Sequence, residues 1–131
     1  MIPTLKLFGG QSFTKYIQAE VGTYAKAGGQ ILFGTDVGFL TDYDTTDEFA
    51  LMAGAGLDWR AILASLTTGP AERFGETLRR GRVADGLDAD LVVLGADPSV
   101  DVTAFSNVRY TIRGGRIVYK APTRAEGRSG L

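Results

Sequence analysis

The chain has 131 residues, of which 44% are hydrophobic and 22% charged, and its net charge is −1. This composition is typical of a globular domain, and the small net charge predicts no general attraction to nucleic acid or anionic membranes. The sequence contains no cysteine and no histidine, which excludes disulfides, a thiol nucleophile and the most common general base and transition-metal ligand. Because no apolar run is long enough to span a bilayer and no leader pattern is present, we expect a cytoplasmic protein.

The first 36 residues predict a β–α–β unit. Residues 1–7 are mostly apolar and end before a glycine pair, which predicts a strand. In residues 12–27 apolar side chains recur at spacings of three and four, which is typical of one buried helical face. The uniformly apolar residues 30–36 then predict a strand that is buried on both faces, as in parallel sheets covered by helices.

Residues 37–44 predict a loop, and a helix follows it. Thr45 and Glu48 have the spacing of a capping box, in which the two side chains bond reciprocally to amides of the first helical turn. We therefore expect Thr45 to be the N-cap of a helix that continues to Gly54.

Two further helices are predicted before the character of the sequence changes. Asp58 is suited to cap the first of them, and Pro70 to the first turn of a second, short helix that Gly75 closes. The aromatic residues Trp59 and Phe74 are expected to lie in the core rather than to stack on a ligand.

Beyond about Arg80 the sequence predicts strands. Residues 90–94 are apolar and rich in β-branched side chains, and residues 107–113 and 116–120 flank the pair Gly114-Gly115, a typical two-residue hairpin turn. We expect a β/α part at residues 1–80, an all-β part at residues 81–120 and a disordered tail at residues 121–131.

Several segments, taken in order, resemble the amidohydrolase superfamily, and most of all its imidazolonepropionase-like and Xaa-Pro dipeptidase-like groups. The resemblance covers about residues 1–120. The matching segments are residues 1–5, 31–36, 48–56, 66–75 and 81–94, followed by the turn before residues 116–119.

This resemblance implies an α/β fold in which residues 1–80 are the last β/α units of a (β/α)₈ metal-dependent hydrolase barrel and residues 81–120 are C-terminal β-sandwich strands. Such enzymes hold one or two divalent metals, zinc among them, at the carboxyl ends of the barrel strands. Asp36 lies where the family's eighth strand supplies an aspartate, so the resemblance implies that Asp36 is a metal ligand and catalytic acid/base. A complete barrel takes about 250 residues, and the histidine ligands belong to strands that these residues do not include.

Other roles for the carboxylates in this region stay open. Asp36 also has the ordinary alternative of capping the loop that follows it. A calcium site is a second alternative, because four acidic residues crowd that loop and the start of the next helix, although their spacing does not fit an EF-hand. These residues are Asp42, Asp44, Asp47 and Glu48. Asp42 and Tyr43 are candidates for contact with a substrate.

The sequence therefore predicts the C-terminal segment of a metal-dependent amidohydrolase that hydrolyses C–N bonds in amides, peptides or cyclic amides. We expect the isolated chain to be inactive and to hold no metal, and the complete enzyme to use zinc or another divalent ion. The expected partners are a small-molecule substrate and either further copies of the chain or an N-terminal partner segment, with neither nucleic acid nor membrane. The alternatives are a non-catalytic scaffold or oligomerisation domain from the same family, or elements that re-pack as a small α/β sandwich.

Overall fold

The computed structural model of the chain describes residues 1–122 and shows an α/β fold with one small antiparallel sheet. None of the helices in this described part combines the length and the apolar character that crossing a bilayer requires. In chain order the elements are a 3₁₀ helix (Leu5–Phe8), α1 (Thr14–Lys26), α2 (Thr46–Gly54), α3 (Trp59–Leu66), α4 (Thr68–Arg73), β1 (Leu91–Leu94), a second 3₁₀ helix (Val102–Ser106), β2 (Val108–Arg113) and β3 (Arg116–Lys120).

The helices predicted from apolar spacing and end signals are confirmed. Helix α1 buries Val21 and Gly22, and a Cβ added at Gly22 would lie 2.3 Å from the Ala55 carbonyl oxygen at the end of α2. Glycine therefore allows these two helices to approach closely. The side chain of Asp58 caps α3 by accepting a hydrogen bond from the Ala61 amide at 2.8 Å, as the sequence predicts.

The core is a cluster of apolar side chains from the first 3₁₀ helix and helices α1 to α3, closed by the second 3₁₀ helix. Three phenylalanines connect distant parts of the chain within it. The Phe49 ring on α2 stacks on Phe33 with centroids 4.8 Å apart and lies 5.3 Å from Phe105 of the second 3₁₀ helix. Phe49 is buried between the other two rings. The three rings therefore connect the segment before Asp36 to the segment before the hairpin.

The β-strands form an antiparallel sheet in the order β1-β2-β3. The predicted hairpin is confirmed: Gly114 and Gly115 have φ angles of 54° and 76° and connect β2 to β3. Both residues adopt the left-handed region, which a two-residue turn of this kind requires. All residues of β3 are exposed.

The strand predicted at residues 1–7 is wrong, since residues 5–8 form a 3₁₀ helix instead. Thr4 takes a φ of 42° immediately before it, and the amides of Leu5 and Lys6 bond to the side chain of Glu48. The amides that would have bonded to a neighbouring strand therefore donate to the carboxylate of Glu48 on α2 instead.

Residues 30–36 are not assigned as a strand either, so the described residues contain no regular β–α–β unit. They retain one step of parallel pairing with the start of the chain: the Met1 amino group donates to the Gln30 carbonyl at 2.7 Å, and the Leu32 amide donates to the Met1 carbonyl at 2.9 Å. The pairing then stops, because the next bond of the ladder would need an amide at position 3 and Pro3 has none. The Phe33 amide, on the opposite edge of the segment, donates to the Ser65 carbonyl. No strand within residues 1–122 pairs with this segment to extend it.

Two smaller predictions are also wrong, and two are not tested. The capping box does not form, because the side chain of Thr45 makes no capping bond to the amides of α2. Phe74 is 72% exposed rather than part of the core, whereas Trp59 is partly buried against the core cluster. The division near Arg80 stays a prediction, and nearly all of the predicted tail at residues 121–131 lies outside the described residues.

Candidate active site

Asp36 lies at the end of the apolar segment 30–36 and is exposed. Its φ of 54° places it in the left-handed region, which aspartate tolerates better than most residues with a side chain. This conformation starts a tight turn, in which the Asp36 carbonyl accepts hydrogen bonds from the amides of Phe39 at 3.1 Å and Leu40 at 3.0 Å. Within residues 1–122 the structure shows no hydrogen bond or ion pair to the Asp36 carboxylate.

The segment that leads to Asp36 runs parallel to residues 1–4. Besides the single step of pairing at Met1, a Cβ added at Gly34 would lie 2.3 Å from Cγ2 of Ile2 and 3.5 Å from Cγ2 of Thr4. The two segments therefore pass side by side and end on the same side of the molecule. Lys6 follows the first segment, as Asp36 ends the second.

The side chain of Lys6 is tied to the loop that follows Asp36. Its ammonium lies 2.7 Å from Oδ2 of Asp42 and also donates to the Asp44 carbonyl. The hydrogen bond with Asp42 raises the pKa of Lys6, and the same bond lowers the pKa of Asp42. Both groups therefore stay charged over a wide range around neutral pH, so the contact is an ion pair.

Asp44, in the same loop, also has partners within the chain. It accepts hydrogen bonds from the hydroxyl and the amide of Thr46, and these two bonds lower its pKa. Asp42 accepts a further bond from the Asp44 amide at 2.9 Å. Two members of the acidic cluster that suggested calcium are thus bonded to neighbouring groups of the loop and of α2, whereas residues 1–122 show no hydrogen bond to the carboxylate of Asp47.

Glu48 is the residue whose role the sequence reasoning missed. Its side chain is fully buried, and its two oxygens accept from the amides of Leu5 at 2.8 Å and Lys6 at 2.6 Å. Burial raises the pKa of Glu48, although the two amides and the Lys6 charge act in the opposite direction. Because the partner amides lie 42 and 43 residues away in the chain, no local sequence signal indicates this contact.

The described residues do not by themselves fit a metal site. Within residues 1–122 no group of three histidine, cysteine, aspartate or glutamate side chains lies close enough together to hold a metal ion. A catalytic zinc usually takes three protein ligands, and Asp36 is one carboxylate. The candidate site therefore consists of one exposed carboxylate, that of Asp36, at the start of a hydrogen-bonded turn. The loop that follows it is held by the ion pair between Lys6 and Asp42.

A separate cavity of about 250 Å³ lies between α1, α3 and α4, at the start of the segment 30–36 rather than at its end. Its lining consists mostly of small or apolar residues, and the polar groups are those of Gln30, Thr68 and Glu72. Neither Asp36 nor Lys6 contributes to this lining, so the cavity is distinct from the candidate active site. No motif in the sequence predicts this cavity.

Comparison with known proteins matches this chain to hydrolases. The model of a family described as "Amidohydrolase family" matches residues 6–119. Over 43 residues, which are 33% of the chain, the sequence is 49% identical to "Amidohydrolase tasK" of Hapsidospora irregularis, of which the match covers 4%.

Solved structures of prolidases are similar over most of the chain. A Xaa-Pro dipeptidase with bound methionine in the active site has a TM-score of 0.73 and 27% identity, with 84% of this chain and 27% of that chain covered. A putative prolidase from Bifidobacterium longum has a TM-score of 0.74 and 26% identity, with 94% of this chain and 36% of that chain covered. The chain therefore spans about a quarter to a third of the length of these two structures.

Proposed function

Because the chain belongs to the amidohydrolase family, we propose that it is the C-terminal segment of a metal-dependent hydrolase acting on C–N bonds, to whose active site it contributes Asp36. The substrate class is a small amide, a cyclic amide or a dipeptide. The similarity to prolidases makes a Xaa-Pro dipeptide the first substrate to test. This proposal makes Asp36 a metal ligand and a proton acceptor in the assembled enzyme.

The observation that carries the proposal is the position of Asp36. It ends a segment that runs parallel to residues 1–4, and both segments end on the same side of the molecule. In parallel β/α folds, active sites are built at the carboxyl ends of the strands. An exposed carboxylate there is available to a metal or a substrate, whereas Asp42 and Asp44 are already bonded within the chain.

The remaining ligands have to come from residues outside this sequence. The chain has no histidine, and the matched part of it covers only 27% and 36% of the two solved relatives. We therefore propose that further barrel strands, in the same polypeptide or in a partner chain, complete an α/β barrel around the segment 30–36. It follows that the isolated chain does not turn over substrate.

The first experiment asks whether the chain works only in an assembled barrel. The coding region upstream of Met1 is sequenced, and the chain is expressed both alone and joined to whatever that region encodes. We expect an encoded His-x-His pattern, Zn²⁺-dependent cleavage of a Xaa-Pro dipeptide by the joined protein, and none by the chain alone. Turnover by the chain alone that Asp36→Asn abolishes would refute the inactivity.

The second experiment tests the role of Asp36 in the joined protein. We expect Asp36→Asn to lower kcat by at least about 100-fold, the lower end of what positioned acid–base groups contribute. The exposed Asp85, in the loop before β1, provides the matched control, and Asp85→Asn should retain activity. Unchanged turnover in the Asp36 variant would remove Asp36 from the active site.

A second candidate function is that of a non-catalytic scaffold or oligomerisation domain. The observation that favours it is the edge strand β3, on which Ile117 and Val118 are 63% and 62% exposed. Exposed apolar strand edges promote pairing with another chain. Sedimentation over a concentration series tests this candidate: we expect dimers or larger species, and a monomer at every concentration counts against it.

A further inference from the structure

Lys6, in the first 3₁₀ helix, bonds to two other parts of the chain: its ammonium contacts the loop after Asp36, and its amide donates to Glu48 of α2. We propose that Lys6 is a positioning residue that fastens the loop after Asp36, residues 37–45, and so sets the shape of the active site. Only the claim that this loop borders an active site rests on the proposed function. The contacts by which Lys6 holds the loop do not depend on it.

The loop has few other attachments. One end is fixed at the Asp36 turn, where the Phe39 and Leu40 amides bond back to the Asp36 carbonyl. The other end is fixed at Thr45, whose hydroxyl lies 2.9 Å from the hydroxyl of Ser106. Between these ends, Asp44 bonds to Thr46 at the start of α2. Within residues 1–122, the side-chain hydrogen bonds that reach this part of the loop from a segment distant in sequence are those of the Lys6 ammonium.

The backbone and side chain of Lys6 are held firmly by the rest of the chain. Its amide donates to the buried carboxylate of Glu48, and the preceding residue, Leu5, is fully buried in the core. The side chain of Lys6 is only 13% exposed, while that of its partner Asp42 is 62% exposed. Lys6 is therefore the rigid partner of the ion pair, and it holds the more exposed loop in place.

The loop carries two aromatic side chains near Asp36 in sequence. Phe39 and Tyr43 are 77% and 79% exposed, so little packing of their own holds them in place. The contact between Lys6 and Asp42 lies next to Tyr43 and keeps this end of the loop close to the first 3₁₀ helix. Loss of this contact should therefore increase the mobility of the loop, residues 37–45.

Amide hydrogen exchange of the complete 131-residue chain, followed by NMR, tests the fastening without any need for activity. The variants are Lys6→Met, Asp42→Asn, the double variant and Lys6→Arg. Asn at position 42 can still accept the Asp44 amide through its side-chain oxygen, so that variant removes the charge and the acceptor for the Lys6 ammonium but keeps the bond within the loop. Lys15→Met is the matched control, because Lys15 is exposed on α1 and has no ion pair within residues 1–122.

We expect exchange in residues 37–45 to speed up about fivefold or more in Lys6→Met and in Asp42→Asn, the size expected for losing one charge-assisted hydrogen bond. The double variant should exchange no faster than the single ones, and Lys6→Arg should stay near the wild type. Helix α1 and the hairpin should not change. If Lys6→Met unfolds the chain, Asp42→Asn alone decides the question.

Unchanged loop exchange in Asp42→Asn, or equal changes across the whole chain, would overturn the inference. Its failure is distinguishable from failure of the proposed function. Full activity of the joined protein carrying Asp36→Asn would refute the function, and a loosened loop in Asp42→Asn would still support the fastening.

Discussion

The buried carboxylate of Glu48 offers the sharpest test of the structural reasoning. Glu48→Gln keeps the size of the side chain but replaces one acceptor oxygen by an NH₂ group, which cannot accept a hydrogen bond. Because the two oxygens of Glu48 accept from the amides of Leu5 and Lys6, the variant leaves one buried amide facing a donor. The other hydrogen bond loses its charged acceptor.

The cost follows from these two changes. An unsatisfied buried donor costs about 1–3 kcal/mol, and a neutral acceptor in place of a charged one weakens the second bond by about 1 kcal/mol. We therefore expect Glu48→Gln to lower the free energy of unfolding by about 2–4 kcal/mol, a large part of the 5–15 kcal/mol or so that stabilises a typical domain. With a urea m-value of about 2 kcal/mol per M, the middle of the usual range, the midpoint falls by roughly 1–2 M.

Urea unfolding near neutral pH, followed by far-UV circular dichroism, measures this loss directly. Glu20→Gln is the control, because Glu20 is exposed on α1, and a surface change of this kind stays within about 0.5 kcal/mol of the wild type. If the two variants unfold at the same urea concentration, Glu48 does not hold the first 3₁₀ helix as described.

The remaining predictions concern pH, the ring stack and a helix cap. Because burial raises the pKa of Glu48 in the folded chain, the folded state binds this proton more tightly than the unfolded state does. The difference in free energy of unfolding between the wild type and Glu48→Gln should therefore be greatest below the ordinary pKa of 4.5. It should shrink as pH rises through the folded pKa. Urea titrations at a series of pH values would show this, and an advantage that grows with pH contradicts it. Phe49→Ala should cost about 3–5 kcal/mol in the same unfolding assay, whereas Phe74→Ala, at an exposed ring, should be nearly neutral; equal effects would argue against the stack. Asp58→Ala removes the cap on the Ala61 amide and should cost about 1 kcal/mol, and a thermal midpoint that does not fall would count against the cap.

The features that the sequence predicted well are those decided by neighbouring residues. Helix α3 begins at Asp58 because its own side chain satisfies an amide three residues later. The hairpin forms at Gly114 and Gly115 because both residues reach positive φ at little cost. In each case the energy that selects the structure lies within a few residues, so the pattern is visible in the chain itself.

The features that were missed depend on contacts between distant residues. Apolar runs such as residues 30–36 become strands only when another strand pairs with them, and within the described residues that pairing is limited to a single step at Met1. Glu48 had the right spacing for a capping box, but the first 3₁₀ helix offers it two amides instead. The role of Asp36 as a metal ligand and catalytic acid/base stays a prediction.

The stack of Phe33, Phe49 and Phe105 has a practical consequence for anyone who shortens the chain. A fragment that ends near residue 80 would lack Phe105 and would expose one side of the Phe49 ring to water. We expect such a fragment to aggregate more readily, because the face of Phe49 that Phe105 covers would be exposed. Expression boundaries should therefore keep the second 3₁₀ helix together with α2, even where only the helical portion is wanted.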